Sequence, residues 1–464
     1  MTRDMSTGKP AKVLFAFAWP MLLGNIFQQF YNMVDSIVVG NYVGSNALAA
    51  VGTAFPVMML LTSVVMGLTS GFSVVISQYF GAGRTEEVRN SVFTAIAFLL
   101  MVSAALSVVG LFIARPVLVA MRTPQEILPD AVTYLMIIFG GMIFSFMYNG
   151  FSAVLRALGD SKTPLYMLIL STIVNIILDL VFVVVFHWDV AGVAIATIIA
   201  QAISALTCFV YTMKRVPMLR FSKKNPAKFD RDILKTMVRL GIPSAVQQSV
   251  FSIGMLFVQS LVNSFGSTVI AGYTSGTKID SFVMMPMMNV GNALATYTAQ
   301  NLGAGKPERI KEGYRAALIF NVIFCLALTA IVFSFGPQLV GLFVDSEADA
   351  AVIKVGTEFL DVICIFYILM GLMNVGSGIL RGAGDMKVVM MGSFTNLGAR
   401  LLAAYTLAPL IGEAAIWWSM PIGWGMAVLI YNGRYFSGKW KEKAVVTRRE
   451  EEEASLAADP MEVG

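Results

Sequence analysis

QYFGAGRTEEVRNSV, from Gln78 to Val92, and QNLGAGKPERIKEGY, from Gln300 to Tyr314, are near copies of each other placed 222 residues apart (300 − 78). Each follows a long apolar run and opens another, so the chain reads as one helical membrane bundle duplicated in tandem. A second echo, LRALGDSKTP from Leu155 and LRGAGDMKVV from Leu380, recurs 225 residues apart (380 − 155). A third pairs Trp19-Pro20 with Ile242-Pro243, and the three echoes come in the same order in both halves. Parallel halves of this kind meet around a central cavity, which is where transporters hold their substrates.

Composition excludes a water-soluble fold of this length. The 464 residues are 57% hydrophobic and only 13% charged, with 29 Met, 32 Phe and a mean hydropathy of +0.74, so the apolar surface needs lipid to cover it. Apolar segments at 13–39, 48–80, 91–113, 131–155, 165–187, 190–213, 234–263, 267–298, 314–335, 355–380, 388–410 and 413–436 each reach the ~20 residues that span hydrocarbon. The expected fold is all-α: a polytopic membrane protein of twelve transmembrane helices in two pseudo-symmetric six-helix lobes. Residues 1–213 form the first lobe, 214–233 a basic cytoplasmic linker, 234–440 the second lobe and 441–464, with its run Glu450 to Glu453, a disordered cytosolic tail. No charged-then-apolar leader with a small-residue cleavage site precedes the first span, so that span is expected to be kept as a helix.

Positive charge sets the orientation. Of the 33 Lys and Arg, all but Arg115, Arg122, Lys278, Lys354 and Arg400 fall in the termini, the even-numbered connections or their flanks. Both termini are therefore expected on the cytoplasmic side of a plasma membrane. The net charge of +5 reflects this loop bias and implies no nucleic-acid partner. Cys208, Cys325 and Cys364 lie inside apolar spans without CxxC spacing, which leaves disulfide and zinc readings unsupported. GAGR and GAGK lack the GxxxxGK[ST] frame of a phosphate loop and read as tight turns; no nucleotide site or catalytic constellation is found, so no cofactor and no enzyme activity are expected.

Ionisable groups inside spans need a reason, because each costs at least ~2.5 kcal/mol at the bilayer centre. Asn25, Gln28, Asn32 and Asp35 recur at helical spacing in the first span, one polar stripe on one face. Asp179 follows Asn175 by four residues in the fifth span, again one face. Both spans run outward, so the two carboxylates sit at similar depth, where partly desolvated acids can exchange protons with the medium. The plainer alternative has Asp35 satisfying its amide neighbours and Asp179 pairing a Lys or Arg. In the eighth span Lys278 and Asp280 are two apart, on different faces, beside Met284, Met285, Met287 and Met288; a substrate or gating role is read for Asp280, Lys278, Met284 and Met287. Met-rich surfaces re-pack around different apolar shapes, although most such residues in a membrane protein face lipid or neighbouring helices. Arg400 occupies nearly the duplicate position of Asp179 (400 − 179 = 221), so the halves have diverged in charge. His187, at an outer span end, has no ligand partner in sequence.

QQFYNMVDSIVVGNYVGSNALAAVG in and after the first span, QYFGAGR and QNLGAGK, LRALGDSKTP and LRGAGD, and NIILDLVF in the fifth span together resemble the multidrug and toxic compound extrusion (MATE) transporters, over roughly residues 10 to 436, and most of all their DinF-like and related bacterial branch. The resemblance implies a secondary active multidrug exporter, a monomer working by alternating access, that exchanges small organic cations for a coupling ion, protons in preference to sodium. It places the coupling-ion site on Asp35, Asp179, Asn175, Tyr134 and Thr197, with sodium possible at Asp35 and Asp179. It assigns a bending hinge to Pro20, while Gln28 and Asn32, read from the polar stripe of the first span, are expected to serve substrate binding or gating. Ser152 departs from the branch, where an asparagine is expected. The NorM-like sodium site resembles acids in spans 7 and 10, but span 7 here carries Gln247, Gln248, Gln259 and Asn263 and no acid; Glu358 and Asp361 open span 10. The rival reading is a flippase of the same superfamily moving lipid-linked oligosaccharide, which would favour a strongly cationic cleft. A non-transporting receptor would need neither duplicated lobes nor buried acids.

Overall fold

The computed structural model describes residues 3–220, 226–343 and 350–446; Glu450 to Glu453 of the expected tail lie outside them. The described residues form thirteen α-helices and no strands. In the first half these are α1 (Pro10–Val38), α2 (Ser45–Gly81), α3 (Thr85–Ala120), α4 (Leu128–Ala157), α5 (Lys162–Leu180) and α6 (Asp189–Arg215). The second half has α7 (Arg231–Asn263), α8 (Ser267–Gly303), α9 (Pro307–Gly341), α10 (Ala350–Ile365), α11 (Tyr367–Ala383), α12 (Met386–Ile411) and α13 (Ala414–Phe436). Among the described residues nine helices are long and apolar enough to cross a membrane, or ten if α10 and α11 count as one span bent by 53°. The long helices outside that set, α8 and α12, are those that carry Lys278 and Asp280, and Arg400.

The tenth expected span is thus two helices, bent at Phe366. At Phe366 the backbone tightens to i→i−3 bonds, Phe366 N–H to Ile363 O and Leu369 N–H to Phe366 O. The Thr329 hydroxyl of α9 donates to the Cys364 carbonyl at 2.7 Å, inserting a side chain into the helix ladder where bends arise.

The duplicated GAG segments end α2 and α8 in the same way. Ala82 N–H bonds Gln78 O and Arg84 N–H bonds Tyr79 O; Ala304 N–H bonds Gln300 O and Lys306 N–H bonds Asn301 O. Each turn reverses through the second glycine, Gly83 at φ +73 and Gly305 at φ +67, a left-handed conformation that favours glycine. The LRALGD copy turns through Gly159, and Asp160 then caps α5 by accepting from the N–H groups of Lys162 and Thr163.

The chain divides into two compact units. The first comprises Met1–Asp4 and Trp19–Ala245, the second Met5–Ala18 and Val246–Gly464. The boundary therefore falls inside α1, beside Pro20, and inside α7, three residues after Pro243 (246 − 243). In the first unit α4 is central, packed on α2, α3 and α6, while Gly67 and Gly71 of α2 let the backbones of Ala245 and Gly241 come close. The second unit is built around α8, with α9, α10 and α11 against it and α12 packed on α13. Its N-terminal segment is pinned by the GAGK turn region: Met5 N–H donates to Gln300 Oε1 at 2.8 Å and Arg309 donates to Gly8 O at 2.8 Å. Beyond α13 the chain packs as far as Val446, with Trp440, Ala444, Val445 and Val446 buried.

Candidate functional site

Both first-half carboxylates stand just before a change of helix type. α1 ends in a π-helical segment, Val39–Val43, four residues after Asp35 (39 − 35), and α5 in another, Val181–Val185, two after Asp179 (181 − 179). These wider turns are rare and cluster at functional sites. The two π segments pack against each other, which brings the ends of α1 and α5 together in the first unit.

There the Asp35 and Asp179 side chains meet. Asp179 is 1% exposed and Asn175, one turn earlier, 0%. Asp35 Oδ1, both Asp179 carboxyl oxygens and both amide atoms of Asn175 are buried without a hydrogen-bond partner. Among the described residues no Lys or Arg hydrogen-bonds to Asp179. Tyr134 of α4 lies within electrostatic reach of both carboxyls, and Thr197 of α6 pairs with Tyr31 of α1. Four helices, α1, α4, α5 and α6, thus deliver Asp35, Asp179, Asn175, Tyr134 and Thr197 to one place.

Tyr31 belongs to this set and was not singled out in the sequence. Its signal was present: it precedes Asp35 by four residues, the spacing that puts two side chains on one helix face. Gln28 and Asn32 lie on the exposed face of α1 and bond each other, Gln28 Nε2 to Asn32 Oδ1 at 3.3 Å. Ser152 sits instead beside Tyr148 and Cys208.

Two buried carboxyls facing each other with no donor between them form an unfinished site. With both ionised they repel in a medium of low dielectric, and a single cation between them turns repulsion into attraction. A proton does this with least demand on geometry. Sodium would draw on the carboxyls together with the Asn175 carbonyl and the Thr197 and Tyr hydroxyls, an all-oxygen set of the type hard cations take.

A pocket lies among α2, α4 and α6, the last two of which also carry members of this group. It is lined by Met58, Thr62, Ile138, Met142, Asn149 and Gln201, among others. Ile138 is one turn from Tyr134 on α4 (138 − 134 = 4), and Gln201 one turn from Thr197 on α6 (201 − 197 = 4). Thioethers and neutral amides line it, which suits flexible apolar guests bearing a few polar atoms.

In the second unit the eighth-span residues separate as their spacing implies. Asp280 is buried at 5% exposure beside Tyr367 and Arg400, whereas Lys278 is exposed, its Nζ 5.2 Å from the centre of the Phe343 ring. Met287 is fully buried against Cys325, Met284 half-buried and Met288 exposed. Glu358 pairs with Lys354 at 3.8 Å on an exposed face of α10, about two turns before the helix break.

A family model, MatE, matches residues 20–181 and 243–406, one stretch in each half. The chain belongs to the multidrug and toxic compound extrusion (MATE) family. This MATE protein is 31% identical to the probable multidrug resistance protein YpnP of Bacillus subtilis, over 96% of its own length and 99% of that protein's. It is 27% identical to the probable multidrug resistance protein NorM of Thermotoga maritima, with 94% of each covered. Among solved structures it is similar to a multidrug resistance MATE family transporter of the MOP superfamily in the outward-facing conformation, at a TM-score of 0.86 and 25% identity over 95% of this chain and 99% of that one. The expected family and all-α class stand, and the protein is a multi-pass membrane transporter of the multidrug efflux kind.

Proposed function

We propose that the protein is a secondary active exporter of small organic cations, exchanging them by alternating access for protons entering at Asp35 and Asp179. The observation that carries this reading is the facing pair itself: three carboxyl oxygens, buried and without a hydrogen-bond partner among the described residues. Protonation removes their repulsion and lets one carboxyl donate to the other; deprotonation restores it, so the ends of α1 and α5 gain and lose a bond with each proton. Tyr31, Tyr134 and Thr197 surround the pair with hydroxyls that can donate to whichever carboxylate remains charged. Sodium at the same two residues is the competing occupant.

Substrate is taken up by the pocket of α2, α4 and α6, where Met58 and Met142 adapt to shape and Asn149 and Gln201 supply hydrogen bonds. Gln28 and Asn32 extend this polar lining along α1, and Met284, Met287, Lys278 and Asp280 act from the second unit in gating. The protein works in the plasma membrane as a monomer surrounded by lipid, both termini cytoplasmic, with residues 1–213 and 234–440 as the two lobes and no resident cofactor. Members of its family move solutes and catalyse no covalent step.

The reading is tested in proteoliposomes by imposing a proton gradient and a sodium gradient separately. Uptake of a fluorescent lipophilic cation driven by the proton gradient alone supports it. Transport that requires sodium and ignores the proton gradient overturns the choice of ion.

A further inference from the structure

The second unit holds a buried polar cluster whose chemistry is opposite to that of the first. Arg400 of α12 is 7% exposed, and its Nε and Nη2 have no hydrogen-bond partner. Its Nη1 donates to the Met255 thioether of α7 at 3.6 Å, a weak acceptor. Asp280 of α8 lies within electrostatic reach of this guanidinium, yet Asp280 Oδ1 is also buried without a partner. The hydroxyls of Tyr273 and Tyr367, 3% and 0% exposed, interact with the same two residues and are likewise unpartnered.

Two guanidinium nitrogens and two phenol hydroxyls are thus buried without a hydrogen-bond partner around one carboxyl group, and leaving such donors unsatisfied in a dry interior is costly. A cation is disfavoured by the fixed charge of Arg400. The walls are aromatic: Tyr273 stacks on Trp417 at 6.0 Å between ring centres, and Phe359 meets both edge-on at 5.3 and 5.4 Å. Such walls exclude water and strengthen any charge interaction inside them.

We propose that Arg400, Tyr273 and Tyr367 form a binding site for a small monovalent anion, chloride or an organic carboxylate, and that Asp280 is the internal counter-ion competing with that anion for Arg400. While Asp280 is ionised it neutralises the guanidinium and the anion is held weakly. When Asp280 takes up a proton the anion replaces it, so proton uptake and anion binding occur together with no net change of charge. The titratable and charged groups around Asp280 are few. Tyr273 comes from its own helix, Tyr367 from α11 and Arg400 from α12, while Cys325 of α9 and Cys364 of α10 lie beside Tyr367; α13 contributes Trp417. The site is built from residues of the second unit and shares none with the coupling pair of the first, so either proposal can fail without the other.

The test is anion titration of the purified full-length protein, following thermal stability and tryptophan emission as chloride or benzoate replaces gluconate at constant ionic strength. Wild type should show saturable stabilisation that grows as pH falls. Asp280→Asn, which removes the competing charge and keeps the shape, should bind about tenfold more tightly and lose the pH dependence. Arg400→Lys should weaken binding and Arg400→Gln abolish it. Response to chloride identifies an inorganic anion as occupant; response to benzoate alone identifies the carboxylate of an organic solute. No anion response in either wild type or Asp280→Asn, or an unchanged affinity in Asp280→Asn, overturns the proposal. So does a saturable response that survives in Arg400→Gln.

Discussion

Asp179 presents two buried oxygens that no hydrogen-bond donor reaches among the described residues, and that shortage underlies the coupling role proposed for it. Asp35→Asn keeps size and hydrogen-bonding capacity but removes the titratable group; we expect export coupled to the gradient to fall at least tenfold while the protein stays folded and inserted. Asp179→Asn should do the same, without loss of thermal stability, because an amide is less costly to bury than an unpaired charge. On the proposal that the two acids act as one site, the double variant should be no worse than the worse single one. Transport assays on the three variants check this, and additive losses would mean that the residues work separately. The pair was legible in the sequence because a charge inside an apolar run stands out at any register. Tyr31 was not, because a tyrosine in such a run is ordinary until α6 brings Thr197 beside it.

Within the helices, proline and glycine carry the mechanics. Pro20 cannot donate a backbone hydrogen bond, so α1 is weakest where it passes from the second unit to the first. Pro20→Ala should restore that bond, slow transport severalfold and leave proton binding at Asp35 intact. Spin-label distances between α1 and α5 that respond to pH alike in variant and wild type would reduce the proline to a packing feature. α2 offers a second comparison. A Cβ on Gly67 would run into the backbone of Ala245, whereas one on Gly52 meets nothing within 4 Å. Gly67→Ala should therefore destabilise the protein by about 1–3 kcal/mol, and Gly52→Ala should be neutral or stabilising by about 0.5–1 kcal/mol, as thermal unfolding in detergent would show. Helix ends at the repeated GAG and LGD turns could be read from the sequence because glycine is the local cause of each turn. The break at Phe366 could not, since it depends on Thr329, which belongs to another helix and bonds a carbonyl that hydropathy does not see.

Across the whole chain, duplication supplied the architecture and divergence supplied the function. Repeats 222 residues apart announced two similar halves, and family and fold agree with that reading. Yet nearly duplicate positions now hold opposite charges: Asp179 in the first half, Arg400 in the second (400 − 179 = 221). Sequence alone exposed that reversal but not its setting, because only packing reveals that Arg400 is buried with Tyr273, Tyr367 and Asp280. A coupling site confined to the first unit predicts that Glu358→Gln and Asp361→Asn preserve the ion response, Glu358 being exposed and already paired with Lys354. The most direct measurement is proton release from purified protein on binding a lipophilic cation, recorded in weakly buffered solution for wild type, Asp35→Asn and Asp361→Asn. The account predicts release from wild type and Asp361→Asn and none from Asp35→Asn. Release that persists in Asp35→Asn and vanishes in Asp361→Asn would place coupling in the second half and contradict it.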